Sequence, residues 1–133
     1  MNKTLRSLAF TLVAFFAAHL APAAQFKAVL FTKTVGWHHD SINAGVTAIQ
    51  HLAQLHDFEV FWTEDASRWC NDQELAKYQV VIFLLTTGDV LNDEQQAAFE
   101  RYIRNGGGFV GIHSASDTEY EWPWFTKMVG HMF

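Results

Sequence analysis

Two histidines stand where their neighbours suit them to acid–base work. His113 lies in GIHSASDT, a run of small residues around one large functional side chain, after three glycines and a short apolar segment. That pattern resembles a strand entering a nucleophile elbow, a sharp turn that needs small neighbours and pushes its central side chain out at the top of a sheet. The apex residue is an imidazole, which can act as general base, proton donor or metal ligand, or can be hydrogen-bonded into the core. Ser114 and Ser116 flank the apex and do not replace the nucleophile. His39 follows His38 in KTVGWHHDS. Adjacent side chains point apart in extended backbone, so one of the two faces a crevice, and His39 is expected to be that one because Asp40 and Ser41 then start and cap a helix.

Carboxylates and rings follow the second histidine closely. In DTEYEWPWF, Asp117 and Glu119 are expected to orient an imidazole or hold a ligand hydroxyl, while Tyr120 and Trp122 offer flat faces for the CH side of a sugar ring. Trp124 is expected to pack the loop on the body of the protein. In TTGD, Thr87 and Gly88 allow a polar ligand to approach the backbone, and Asp89 is either an acid–base group or a turn residue. His39, His113 and Asp117 also have the ligand types for zinc or a similar divalent ion.

The elements that position these groups are legible as apolar runs. Phe26–Thr32, Asp57–Asp65, Tyr78–Gly88 and Gly108–His113 read as strands. VVIFLL and FVGI do not alternate, as expected of strands covered on both faces of a parallel sheet. Ile42, Val46, Ile49, Leu52 and Ala53 recur at helical spacing within Ser41–Leu55, and a short helix is expected near Asn71–Ala76. A third helix carries its own punctuation, with Asn92 as cap, Gln95 answering it and Gly106 as the left-handed stop. Phe99, Tyr102 and Ile103 form its inward stripe. Alternating strands and helices predict an α/β fold with an open parallel sheet and helices on both faces. A flavodoxin-like strand order would bring the loops after the first, third and fourth strands to one crevice at the carboxyl ends. The chain stops soon after its fourth strand, so a truncated domain is expected, or else an edge completed by a partner subunit.

Composition narrows the function classes. Lys3 and Arg6 precede an apolar run from Leu8 to Leu20 and the small-x-small Ala21-Pro22-Ala23, which predicts a signal peptide over residues 1–23, export to the periplasm or beyond, and a folded domain over 24–133. That run is short for a membrane span. Without Lys3 and Arg6 the chain keeps 7 basic against 14 acidic residues, a formal charge of −7, which disfavours a nucleic-acid partner. Cys70 is the only cysteine, excluding an internal disulfide and a CxxC site, and it reads as a small apolar residue. No dinucleotide fingerprint is present, because GGGFVG precedes its strand whereas a phosphate-binding glycine loop follows one.

FTKTVGWHHDSI, FLLTTGDVLNDEQQAAFERYIRNGGGFVGIHSASDTEYEWPWF and MVGHMF together resemble the ThuA-like family, named for trehalose utilisation and built on the class I glutamine amidotransferase-like fold. The resemblance runs from Phe26 onward and implies that family's amino-terminal half. It places the family's histidine-aspartate-serine pattern on His39, Asp40 and Ser41, its TTGD on Thr86–Asp89, and its GIHxAxDT on Gly111–Thr118. True amidotransferases carry an elbow cysteine where His113 stands, so the resemblance implies the fold without that reaction. The expectation is an exported protein that binds and transforms a sugar or keto-sugar. A metal-dependent enzyme and a non-catalytic carbohydrate-binding module are the alternatives.

Overall fold

A computed structural model describes residues 24–132, so the expected signal peptide over 1–23 lies outside the described residues. Four strands, β1 (Lys27–Phe31), β2 (Glu59–Thr63), β3 (Val80–Leu84) and β4 (Gly108–Ile112), form one parallel sheet in the order β2-β1-β3-β4. Helices α1 (Ile42–Leu55), α2 (Asp72–Leu75), α3 (Asp93–Arg104) and α4 (Pro123–Val129) connect and follow them, with short 3₁₀ turns at Ala66–Arg68 and Ala115–Asp117. This is the expected α/β sheet with helices on both faces.

The unbroken apolar runs have a simple cause. In central β1 and β3, Val29, Phe31, Val81 and Phe83 join a cluster with Trp69, Leu75, Phe99 and Phe125 on the face of α2, α3 and α4. The intervening Ala28, Leu30, Ile82 and Leu84 join Ile42 and Val46 on the face of α1. Both parities are therefore buried, and alternation has nothing to mark. Phe31, Phe83, Phe99 and Phe125 are each 0% exposed, a burial that stabilises by roughly 1.5–3 kcal/mol per side chain. The indole N–H of Trp69 has no hydrogen-bond partner among the described residues, a local cost within that cluster.

Helix punctuation agrees with the sequence in one place and departs from it in another. Asn92 accepts from the Gln95 N–H at 2.9 Å while the Gln95 side chain accepts from the Asn92 N–H at 3.0 Å, completing the expected capping box of α3. Gly106 stands just beyond α3 with φ +94°. Ser41 stands at the cap position just before α1, but its backbone is already helical (φ −82°, ψ −1°) and its side chain makes no cap bond. Extended backbone is what lets a cap oxygen reach back to the helix N–H groups, so neither Ser41 nor Asp40 caps α1 as expected. Instead the Ile42 N–H donates to the His39 carbonyl at 3.2 Å, tying the helix start to the histidine.

Among the described residues β4 is an edge strand. Val110 is 44% exposed and, by register with Ile82, faces the same side as α1. Among the described residues, no helix is long and apolar enough to cross a membrane.

Candidate functional site

The loops after β1, β3 and β4 meet at the carboxyl end of the sheet, as the strand order requires. Thr34 bridges Thr87, and Gly88 bridges Thr118, extending the sheet pairing into the loops. The Thr87 carbonyl accepts from Val35 and Gly36 N–H at 2.8 and 3.3 Å. Gly88 donates to the Asp117 carbonyl at 2.7 Å, and Leu85 donates to the His113 carbonyl at 2.9 Å. Buried Thr86 and Thr118 hydroxyls pair at 2.8 Å across the same seam.

Gly88 has φ +76°, and a Cβ there would lie 3.0 Å from the Gly36 nitrogen and 3.1 Å from the Val35 Cβ. Glycine is thus needed for its conformation and for the close approach of two loops. Leu85 (φ +56°) and Glu119 (φ +60°) also hold left-handed backbone at this end. Such conformations cost an L-residue about 1–2 kcal/mol each. Their clustering on the converging loops marks a region whose geometry overrides local preference.

His39 and His113 come together at this junction. Their ring centroids lie 5.2 Å apart in an edge-to-face arrangement, with His39 half-buried and His113 exposed. His39 Nε2 is 3.2 Å from the hydroxyl of buried Ser114. The peptide between His113 and Ser114 is cis. A Cβ on Gly111 would meet the Ala115 Cβ at 3.1 Å, so the small residues around His113 do permit a tight turn. His38 points elsewhere, with Nδ1 3.1 Å from the Thr34 hydroxyl in an exposed position.

The carboxylates divide sharply. Asp117 is partly exposed beside the junction, and its carboxylate accepts the Tyr120 hydroxyl. That hydrogen bond holds the Tyr120 phenol above its ordinary pKa of 10.0. Glu119 is 0% exposed. One of its oxygens accepts from the Val90 and Leu91 N–H groups at 2.7 Å each, and the other accepts from the Gln96 amide at 2.7 Å. The carboxylate of Glu119 is therefore turned inward to organise the Asp89–Leu91 turn, in place of the expected contact with a ligand hydroxyl. Burial pushes its pKa upward, against the pull of those three donors.

Two further residues expected at the ligand make structural contacts. The Thr87 side chain is 0% exposed and donates to the Trp37 carbonyl at 2.8 Å. Trp122 is partly buried, stacked on Phe125 with centroids 5.7 Å apart and 5.1 Å from Trp124, so part of its ring lies on the core. Trp124 packs as expected, with the Arg104 guanidinium 5.7 Å from its ring. Asp89 is exposed and borders a cleft of about 540 Å³ with Lys33, Glu64, Asp65 and Ser67. None of His39, His113 or Asp117 lines that cleft, which lies on the β2 side of the junction.

Among the described residues, no three His, Cys, Asp or Glu side chains are grouped so as to hold a metal ion. The expected set of His39, His113 and Asp117 is not assembled: the imidazoles meet each other and Ser114, while the carboxylate meets Tyr120. Cys70 is 2% exposed with its thiol donating to the Gln95 carbonyl at 3.2 Å, and burial raises its pKa further, so it offers no thiolate nucleophile.

Two further residues belong to this junction. Ser114, which flanks the apex and does not replace the nucleophile, is the partner of His39. Trp37 is 73% exposed beside His38 and His39, on a backbone pinned by Thr87.

A family model described as ThuA, trehalose utilisation, matches residues 27–133. A ThuA-like protein from Bacteroides uniformis ATCC 8492 is similar in structure, with 30% identity, a TM-score of 0.67, and coverage of 86% of this chain and 47% of that one. Another from Parabacteroides merdae ATCC 43184 has 28% identity, a TM-score of 0.60, and coverage of 75% of this chain and 36% of that one. No curated protein matches the chain. The chain thus spans half or less of the length of these solved relatives. With the motif-bearing loops, the sheet order and the family model in agreement, the chain belongs to the ThuA family, whose description is trehalose utilisation.

Proposed function

We propose that this chain forms the acid–base part of an exported protein that binds and transforms a sugar or keto-sugar. The observation that carries this reading is the pair of imidazoles, His39 and His113, held 5.2 Å apart where three loops converge. An imidazole can accept a proton at one nitrogen and donate one from the other, so the two can divide the roles of proton acceptor and donor across one ligand. Asp117 and the Tyr120 hydroxyl lie on the same loop as hydrogen-bond partners for ligand hydroxyls. Trp37 supplies an exposed ring beside the histidines. Sugar chemistry is suggested by the family description, and export by Lys3, Arg6 and the apolar run that follows them. The amidotransferase reaction has no support, because His113 stands at the turn and the Cys70 thiol is buried.

The test is a calorimetric and product-detecting panel of sugars, oxidised sugars and keto-sugars against the wild type and His113→Ala. Saturable binding weakened about tenfold or more by the substitution, on the scale of one lost charge-assisted hydrogen bond, supports the reading. Unchanged affinity and unchanged turnover in His113→Ala contradict it. Tight binding with no conversion of any compound would leave the crevice a carbohydrate-binding module and remove the catalytic half of the proposal.

A further inference from the structure

We infer that Ser114 is a positioning residue that fixes His39 in the Nε2–H tautomer and thereby makes Nδ1 the basic atom of the pair. The inference follows from the direction of two hydrogen bonds. Ser114 is 4% exposed, and its hydroxyl lies 3.2 Å from the carbonyl oxygen of Thr86 and 3.2 Å from His39 Nε2. A carbonyl oxygen can only accept, so the single hydroxyl proton of Ser114 is committed to Thr86. Towards His39 the serine then presents a lone pair, and Nε2 must carry the proton that fills it. The other ring nitrogen keeps its lone pair, and among the described residues Nδ1 makes no hydrogen bond.

The consequences differ from those of a serine–histidine nucleophile pair, which the adjacency of the two residues would otherwise suggest. A histidine activates a hydroxyl through an unprotonated nitrogen, and the nitrogen facing Ser114 is protonated. Ser114 is therefore not the nucleophile. When a proton leaves a ligand hydroxyl for Nδ1, the electron pair stays on the ligand oxygen and the ring becomes an imidazolium. Its Nε2–H remains on Ser114, so the cation forms without rearranging the loop. Thr86 is anchored in turn by Thr118 at 2.8 Å, so the chain Thr118–Thr86–Ser114–His39 ties β3 and β4 to the β1 loop. Only the arrival of a ligand at Nδ1 rests on the function proposed above; the tautomer does not.

The experiment is a multiple-bond ¹H–¹⁵N correlation spectrum of the histidine-labelled chain, recorded where the rings are neutral. His39 should show a pyrrole-type Nε2 and a pyridine-type Nδ1. Its Nε2–H should exchange with water about fivefold or more slower than in Ser114→Ala, the factor expected for one net hydrogen bond. A dominant Nδ1–H form, or equal exchange in a Ser114→Ala chain whose amide spectrum is otherwise native, overturns the inference. Incubation with phenylmethanesulfonyl fluoride should leave Ser114 unmodified, and an adduct on Ser114 would also overturn it. These readouts need no sugar, so failure of the ligand panel and failure of the tautomer assignment are distinguishable.

Discussion

Replacing Glu119 should expose how the β3 and β4 loops are joined. Glu119→Ala removes both carboxylate oxygens and leaves the buried Val90 and Leu91 N–H groups without acceptors, each formerly satisfied at 2.7 Å. An orphaned buried donor costs about 1–3 kcal/mol, so the two together should destabilise the fold by about 3–5 kcal/mol once partial relaxation is allowed. The Gln96 amide adds little because it is only partly buried and can turn to water. Glu119→Gln keeps an oxygen for the two backbone donors and should cost less than about 1.5 kcal/mol at neutral pH. The pH dependence adds a second check. Burial raises the native-state pKa of Glu119 above its ordinary 4.5, so the native state binds the proton more tightly than the unfolded chain. The stability this supplies is fully present below 4.5 and is lost as pH rises through the raised native value. Glu119→Gln should flatten that decline. Urea unfolding followed by tryptophan fluorescence at several pH values measures both effects. A Glu119→Ala chain within about 1 kcal/mol of wild type, well short of the cost of two orphaned donors, would refute the reasoning.

Three other outcomes are expected. Gly88→Ala should destabilise by about 2 kcal/mol, since it places an L-residue at φ +76°. It should also broaden the amide resonances of residues 35, 36 and 87 in an NMR spectrum, because the new Cβ meets Gly36 at 3.0 Å. Asp117→Asn should lower the Tyr120 pKa towards 10.0, because the Asp117 carboxylate is the main cause of its elevation. Ultraviolet titration of the phenolate measures that change, and an unmoved transition would count against the contact. Cys70 should resist iodoacetamide in the native chain and react fully in urea, as mass spectrometry can follow; stoichiometric native labelling would contradict its burial.

The elements were legible because their signals are local. The apolar runs of β1 and β3, the inward Phe99 of α3 and the Asn92–Gln95 capping box all depend on residues a few positions apart. The converging loops followed from strand order alone. What the sequence concealed were the directions of loop side chains, because contacts from distant segments set them. Glu119 turns inward for donors 28 and 29 residues away, Thr87 is held by a carbonyl 50 residues away, and His39 finds Ser114 across 75 residues. The packing of Trp122 was hidden because an acidic-aromatic segment has the same composition whether its rings meet a ligand or a core. Here the Phe99–Phe125 cluster claims the ring. Ser41 failed as a cap because α1 begins from a turn already helical at that residue.

The most direct test of the imidazole pair is to titrate the sugar and keto-sugar panel into the ¹⁵N-histidine-labelled chain and follow every ring. His51 and His56 are exposed at the far end of α1 and serve as internal controls. The account predicts that one compound class moves the His39 and His113 resonances together, along a single saturable curve, while His51 and His56 stay still. If no compound moves either ring, or if all four move in parallel, the junction of the three loops is not the ligand site.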